Sequence, residues 1–385
     1  MRDRGWPDGL ARRTAQTDDS QHVVPHRNGG RVTGALEDLR VFISYAHDSY
    51  EIARNIAAHL RNHGAILLWD RDFAHGSGFH DQIKTQIAFA HVFLPLITRS
   101  SAKRGWVHQE IGYATALHVP TLPIAIEQPP AAMLEGLHAV WFDNAKDIGN
   151  LELSLPPEIF LRLVERFDNP SLATYVCAAE SEDRTRLLYR YAAEVRRLGH
   201  SGLVRQTSHL SSFHIPTETP EHIAWEQRYD ATDQRSFYHR RLLRCERLAL
   251  EWHAREAGAK LIVCPDITLS LRGASAAKAR LLELKRFLKD AGDNGINVEV
   301  ARGAKIDHPE NVTIIGDWFM AASVLGTPKA GYRQTIFTRH AQTVRERIAL
   351  FEQQFKECAL WPGTGSSRER AIAYLDRELG KFPQE

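Results

Sequence analysis

The chain of 385 residues is long enough for two domains of ordinary size, and its shares of 43% hydrophobic and 25% charged residues are typical of a globular protein. A formal net charge of +2 excludes a global field that would recruit nucleic acid or an anionic membrane, so we expect neither as a partner. Four scattered cysteines argue against a disulfide framework and a zinc ribbon. With no signal peptide and no apolar run of about 18–20 residues, we expect a cytoplasmic protein.

Residues 1–36 mix Arg, Asp, Gly, Pro, Ser and Thr without a hydrophobic period. Such a segment buries too little apolar surface to offset the entropy lost on ordering. We therefore predict a flexible N-terminal arm.

Apolar runs alternate with amphipathic segments from Leu39 onwards. The runs LRVFISY, AILLWD, HVFLPLI, VPTLPIAI and AVWF are typical of buried strands. Helical spacing marks the segments between the first four runs, as in YEIARNIAAHLRNHG, where Gly64 supplies a C-terminal stop. We predict that residues 37–147 form a flavodoxin-like α/β domain with a five-stranded parallel sheet covered on both faces.

Residues 148–385 predict a second, helical plus α/β domain. A helical lead-in spans 156–255 and contains a loop over HSGLVRQTSHLSSFHIPTETPEH. An α/β part over 256–385 then has strands at AKLIVCP, INVEVAR, NVTIIG and YRQTIFT.

Polar residues follow directly after the first three apolar runs. Ligands of open parallel sheets bind beyond the carboxyl ends of the strands, so this edge predicts a binding site. The candidates are Ser44, Tyr45, Asp70, Arg71 and Ser100.

Glu110 lies at the border of a buried helix face, roughly 45° from the centre of the apolar stripe at 100° per residue. Trp106 precedes it by one helical turn. A partly desolvated carboxylate beside an aromatic ring suits acid–base or charge-stabilising chemistry, but the same pattern is typical of an ordinary ion pair on a helix surface. The stripe itself comprises Val107, Ile111, Ala114 and Leu117.

Three segments in the same order resemble the TIR (Toll/interleukin-receptor) domain. VFISYAHDS resembles its first box, WDRDFAHGSGFHDQI its second strand end and mobile BB loop, and GWVHQEIGYATALHVPTLPI the helix that carries the glutamate of NAD-consuming members. The resemblance implies a prokaryotic NAD+ glycohydrolase of an immune or toxin type. Ala46 departs from the pattern, because several active relatives have arginine there, and the glycines of HGSGF are placed differently from the usual loop.

Carried over by position, the resemblance makes Glu110 the catalytic residue and puts Tyr45, Asp70 and Trp106 at the nucleotide. It implies assembly through the BB loop, and hence a homo-oligomer. The matching loop residues are Asp72, Phe73, Gly76, Gly78 and Phe79. Because no strand is followed by G-x-G-x-x-G, NAD+ is expected as a substrate and not as a cofactor. The histidine spacings match no metal motif, so no metal is expected.

One C-terminal stretch combines acidic, aromatic and basic residues near predicted strands. Asp317, Trp318, Arg333 and Arg339 are consistent with a pocket for a small nucleotide signal, in a sensor or oligomerisation domain. They are also consistent with a structural strand that has a buried tryptophan and surface basic residues. The competing hypothesis for the whole chain is a non-catalytic adaptor that acts by contacts between TIR domains.

Overall fold

Two β-sheets organise the chain in a computed structural model, and Gly34–Glu385 form one compact unit. No helix in the described ranges is both long and apolar enough to cross a membrane. The structure describes residues 34–68, 79–101, 105–127, 138–144, 151–167, 175–208, 210–214, 237–266, 274–303, 311–325, 332–358 and 360–382.

The first sheet has five strands in the order β2-β1-β3-β4-β5, and all its neighbouring strands are parallel. Its strands are β1 (Arg40–Ser44), β2 (Ile66–Leu68), β3 (Val92–Ile97), β4 (Ile124–Ile126) and β5 (Val140–Phe142). β1 and β3 are buried along their whole length, as their continuous apolar runs predict. The predicted flavodoxin-like sheet is confirmed.

Helices cover both faces of this sheet. One hydrophobic cluster joins residues of α2 and α3 to Phe42 and Phe93 of the sheet, and another joins α1, α4 and α5 to Val41 and Leu94. After α1, Gly64 adopts a φ of +95°, which glycine reaches without a Cβ clash. The helices are α1 (Tyr50–Asn62), α2 (Phe79–Phe89), α3 (Gly105–Ala116), α4 (Leu151–Ser154) and α5 (Pro157–Phe167).

The end of the predicted arm belongs to the fold. Leu36 is 1% exposed within the cluster that contains α1, and its backbone N–H donates to the carbonyl of His63 at 2.8 Å. The folded unit therefore begins before residue 37, because Leu36 buries an apolar side chain that the composition of residues 1–36 concealed. Residues 1–33 lie outside the described part of the chain.

The second sheet has seven strands in the order β6-β12-β11-β10-β7-β8-β9. Only the pairs β7–β8 and β8–β9 are parallel. The predicted second helical and α/β part is confirmed. Its strands are β6 (Tyr175–Ala178), β7 (Val204–Ser208), β8 (Ala259–Val263), β9 (Val298–Arg302), β10 (Asn311–Ile315), β11 (Phe319–Leu325) and β12 (Tyr332–Thr338), and its helices are α6 (Ser181–Arg197), α7 (Phe237–Ala257), α8 (Ala274–Asp293), α9 (Ala341–Glu357) and α10 (Ser367–Leu379).

Two of these strands correct the expected helical lead-in over 156–255, since β6 and β7 both fall within it. The predicted loop is wrong at β7, where burial alternates along Val204–Ser208. Two of its buried positions are polar, Gln206 and Ser208, so hydrophobic periodicity did not reveal the strand. The Gln206 amide is satisfied by donating to the hydroxyls of Ser212 and Thr313, both at 2.9 Å.

The two sheets share a hydrophobic core. Phe89 at the end of α2 meets the Trp318 ring at a centroid distance of 5.6 Å and the Tyr191 ring of α6 at 6.1 Å. Both contacts are edge-to-face, an arrangement that aromatic rings favour. One face of the first sheet is therefore covered in part by residues from the second half of the chain.

Candidate functional site

The carboxyl ends of β1 and β3 meet at the point where the strand order of the first sheet reverses. β1 leads next in sequence to β2 on one side, whereas β3 lies on its other side. Doubly wound sheets bind ligands in the crevice at this point. Ser44 ends β1, and Thr98 follows β3 directly.

Glu110 reaches this edge from α3. Val107 and Ile111 are buried in the core and fix the orientation of the helix, while Glu110 is itself 6% exposed. The Ser44 hydroxyl donates to the Glu110 carboxylate, with 2.5 Å between Oγ and Oε2. A hydrogen bond to a charged acceptor holds the carboxylate in one place at the strand end. The prediction from the helical stripe that Glu110 avoids the solvated face agrees with this burial.

A cluster of hydroxyl groups lies beside these two strand ends. The Ser100 hydroxyl donates to Asp48 Oδ1 at 3.0 Å, and Ser49 donates to the same oxygen at 3.1 Å. Thr98 Oγ1 lies 3.1 Å from Ser100 Oγ, and the backbone N–H of Thr98 donates to Ser101 Oγ at 2.7 Å. The cluster ties the segment after β1 to the segment after β3. Such a rim offers oxygen acceptors to the hydroxyl groups of a polar ligand.

Asp48, Ser49 and Ser101 were not among the predicted site residues. Sequence analysis placed candidates directly after each strand, whereas Asp48 and Ser49 lie in a 3₁₀ turn four and five residues beyond Ser44. A usable signal was the run of short polar side chains, HDS after the first strand and TRSS after the third.

The predicted aromatic and loop residues have different outcomes. Tyr45 is 8% exposed, and its ring lies 6.1 Å from that of Tyr50. Trp106 lies in α3 and Phe79 begins α2, but the side chains of both are outside the described part. The remaining predicted site residues, Asp70, Arg71, Asp72, Phe73, Gly76 and Gly78, also lie outside the described residues.

Asp317 and Trp318 lie where the two sheets meet. Arg40 of β1 is fully buried and donates to Asp317 Oδ2 at 2.9 Å, and its guanidinium lies 4.4 Å from the Trp318 ring centroid. Arg40 also donates to the Phe89 carbonyl at 2.7 Å. Burial lowers the pKa of Arg40, and the Asp317 charge opposes that shift. These contacts give Asp317 and Trp318 a structural part in joining the sheets.

The contact between Arg40 and the turn from β10 to β11 depends on two glycines. Gly316 has a φ of +52°, and a Cβ on Gly202 would lie only 2.5 Å from the Gly316 nitrogen. The two backbones approach closely there, and the turn presents Asp317 and Trp318 towards Arg40.

Arg339 lies in a different position from Asp317. Its guanidinium lies 4.9 Å from the Tyr191 ring centroid and 5.4 Å from that of Phe89. The side chain of Arg333 in β12 is outside the described residues. Arg339 and Trp318 therefore share the neighbour Phe89, but Asp317 is paired with Arg40 and is not an element of an open pocket with them.

Arg339 lines a cavity of about 70 Å³ at the amino-terminal edge of the first sheet, opposite to Glu110. His91 also lines it and is buried, with no hydrogen-bond partner for its Nε2 among the described residues. Burial, with the Arg40 charge as the next cause, lowers the pKa of His91 well below its usual value. Other lining residues include His118, Tyr191, Phe337 and His340.

Comparison with known proteins identifies the first part of the chain. Residues 41–153 match the family model described as TIR domain. A comparison with curated proteins found no match. Among solved structures, that of TrmBL2, an archaeal chromatin protein, aligns with 52% of this chain at 10% identity and a TM-score of 0.28. The alignment spans 59% of that protein's length, and a TM-score this low supports no argument about fold or function.

Proposed function

We propose that the TIR domain formed by residues 41–153 of this chain is an NAD+ glycohydrolase in which Glu110 is the catalytic residue. The observation that carries the proposal is the buried Glu110 carboxylate, which Ser44 holds at 2.5 Å beside the crevice of a doubly wound sheet. A carboxylate fixed at the site where charge develops is a usual means of electrostatic catalysis.

The chemistry requires one carboxylate and no general acid. Cleavage of the nicotinamide–ribose bond places positive charge on the ribose, in a transition state like that of glycoside hydrolysis. The nicotinamide leaves as a neutral base because it is cationic in the substrate. Glu110 stabilises the ribose cation and accepts hydrogen bonds from the ribose hydroxyls, and Trp106 contributes an aromatic wall. Tyr45 packs in the cluster of α1 on the other face of the sheet, so it supports the strand end and does not line the cleft. Water then attacks to give ADP-ribose, and attack by an internal nucleophile gives a cyclic product.

The hydroxyl rim supports binding of the rest of the dinucleotide. Ser49 and Ser100 each donate to Asp48 Oδ1, at 3.1 and 3.0 Å, and the three residues lie after the same two strands that approach Glu110. Because these two hydroxyl protons are directed at Asp48, the oxygens of the rim act as acceptors, which suits hydrogen bonds from ribose hydroxyls.

Assembly is the second part of the proposal. The segment from Asp72 to Phe79 of one copy completes the active site of a neighbouring copy, so that the monomer is inactive. A signal, for which we propose a small nucleotide, binds the C-terminal part and promotes that assembly. Arg339 contributes a guanidinium to the lining of the cavity, and a guanidinium is a usual partner of a phosphate group. A dilution series of the purified chain tests assembly, since specific activity falls on dilution only if association is required.

Expression in cells tests the catalytic assignment. Wild-type protein should deplete cellular NAD+, and Glu110→Ala should not. Gln109→Ala is the matched control, because Gln109 is exposed on the same helix and the substitution leaves the buried face intact. If the wild type leaves NAD+ unchanged at a level of expression that produces a TIR-dependent signal, the non-catalytic adaptor is the correct account.

A further inference from the structure

Two histidines and a glutamate come together on the surface of the first domain, outside the candidate active site. His59 and His63 are four residues apart at the end of α1, a spacing that puts both rings on one side of a helix. Glu152 of α4 faces them, with 3.1 Å between its Oε1 and His63 Nε2 and 3.7 Å to His59 Nδ1. One ligand atom from each residue lies within 4.8 Å of the others.

The two distances from Glu152 are close to those of a four-coordinate zinc site. With bonds of about 2.0–2.1 Å to nitrogen and to carboxylate oxygen, neighbouring ligand atoms of a tetrahedron lie about 3.3 Å apart. The two distances to Glu152 lie on either side of this value. Because the Glu152 side chain is 69% exposed, it can move by the remaining few tenths of an ångström, and water has access to a fourth position.

The surroundings of His59 are those of a metal-ligating histidine. His59 is 8% exposed, and its Nε2 lies 3.0 Å from the Leu155 carbonyl, to which it must donate. With Nε2 occupied in this way, Nδ1 is the ring nitrogen that can bind a metal, and it faces Glu152 Oε1 at 3.7 Å. A histidine whose other ring nitrogen donates to a backbone carbonyl is the usual arrangement of a metal ligand.

We propose that His59 Nδ1, His63 Nε2 and Glu152 Oε1 bind one Zn²⁺ ion, with water as the fourth ligand. The sequence gives no sign of such a site, because Glu152 lies 89 residues from His63. The bound ion links the end of α1 to α4. Leu151 and Leu155, which lie on either side of Glu152 in the sequence, are buried in the same hydrophobic cluster as residues of α1. Zinc thereby stabilises the end of the TIR domain at the point where the chain leaves it.

Zinc titration of the full chain tests the proposal, after treatment with a chelator. Native mass spectrometry and calorimetry should show that the wild type binds one more equivalent of Zn²⁺ than either His63→Gln or Glu152→Gln. Each variant should bind zinc at this site at least about tenfold more weakly, since even loss of an outer hydrogen bond costs about that much. His138→Gln is the matched control, because His138 is exposed and is not one of the three proposed ligands.

Thermal unfolding gives a second measurement that does not depend on counting ions. Zinc should raise the melting temperature of the wild type and of His138→Gln, and should leave that of Glu152→Gln unchanged. Glu152 is exposed, so its substitution is not expected to unfold the chain. The proposal is overturned if the wild type binds no zinc at micromolar concentration, or if Glu152→Gln and the wild type bind and respond alike. Neither result bears on NAD+ cleavage.

Discussion

The ion pair between the buried Arg40 and the partly exposed Asp317 gives the most specific prediction about stability. Arg40 is fully buried, whereas the Asp317 side chain is 38% exposed. Removal of one partner from a fully buried pair costs about 3–5 kcal/mol, whereas an exposed pair contributes only about 0–1 kcal/mol. For this half-exposed pair we expect Asp317→Asn to lower the free energy of unfolding by about 2 kcal/mol, since Arg40 retains the Phe89 carbonyl and the Trp318 ring.

Urea denaturation measures this cost, with Asp183→Asn as the control. Asp183 pairs with Arg186 at 2.7 Å, but its side chain is 49% exposed on a helix surface, so its loss should change stability by less than about 0.5 kcal/mol. A double-mutant cycle with Arg40→Met should give a coupling energy of about 1–2 kcal/mol between Arg40 and Asp317. Additive effects, or an Asp317→Asn variant as stable as the control, would refute a structural role for this contact.

Three other buried groups give predictions of their own. Burial lowers the pKa of His91, so below pH ~6.5 the unfolded chain binds a proton that the folded chain does not. The free energy of unfolding should therefore fall, as the pH is lowered, by up to about 1.4 kcal/mol per pH unit. His91→Asn should flatten that decline in urea midpoints, and an unchanged slope would contradict the assignment. Burial raises the pKa of Cys264 to about 11, so at pH 8 iodoacetamide should label the exposed Cys177 and spare Cys264; equal labelling in native protein would be inconsistent with this. Ser44→Ala should reduce NAD+ turnover by about tenfold or more, because a hydrogen bond to a charged group such as Glu110 contributes about 1.5–3 kcal/mol. Full activity would show that Glu110 does not need this contact.

Local pattern was sufficient for the first sheet and for the position of Glu110. β1 and β3 are continuous apolar runs bounded by polar residues, which sequence alone identifies as buried strands. Helical periodicity was sufficient to place Glu110 off the solvated face, because Val107 and Ile111 define the buried stripe. The two strands and the orientation of Glu110 are both set by residues close to one another in sequence, within about one or two helical turns in the case of Glu110.

Features that depend on distant residues could not be predicted. Arg40 pairs with a residue 277 positions away, and a lone arginine at the start of an apolar run gives no sign of its partner. β7 was missed because buried Gln206 is satisfied by hydroxyls from elsewhere in the fold, one of them 107 residues away. Pattern analysis assumes that buried positions are apolar, and this assumption fails where a hydrogen-bond network replaces apolar packing.

In the proposed reaction the Glu110 carboxylate stabilises the ribose cation that forms as the nicotinamide–ribose bond breaks. The direct measurement is release of nicotinamide from NAD+ by the concentrated, purified chain, compared with Glu110→Gln and with Gln109→Ala. We predict release by the wild type and by Gln109→Ala, and none by Glu110→Gln, which keeps the size of the side chain and loses its charge. Undiminished release by Glu110→Gln would contradict the account.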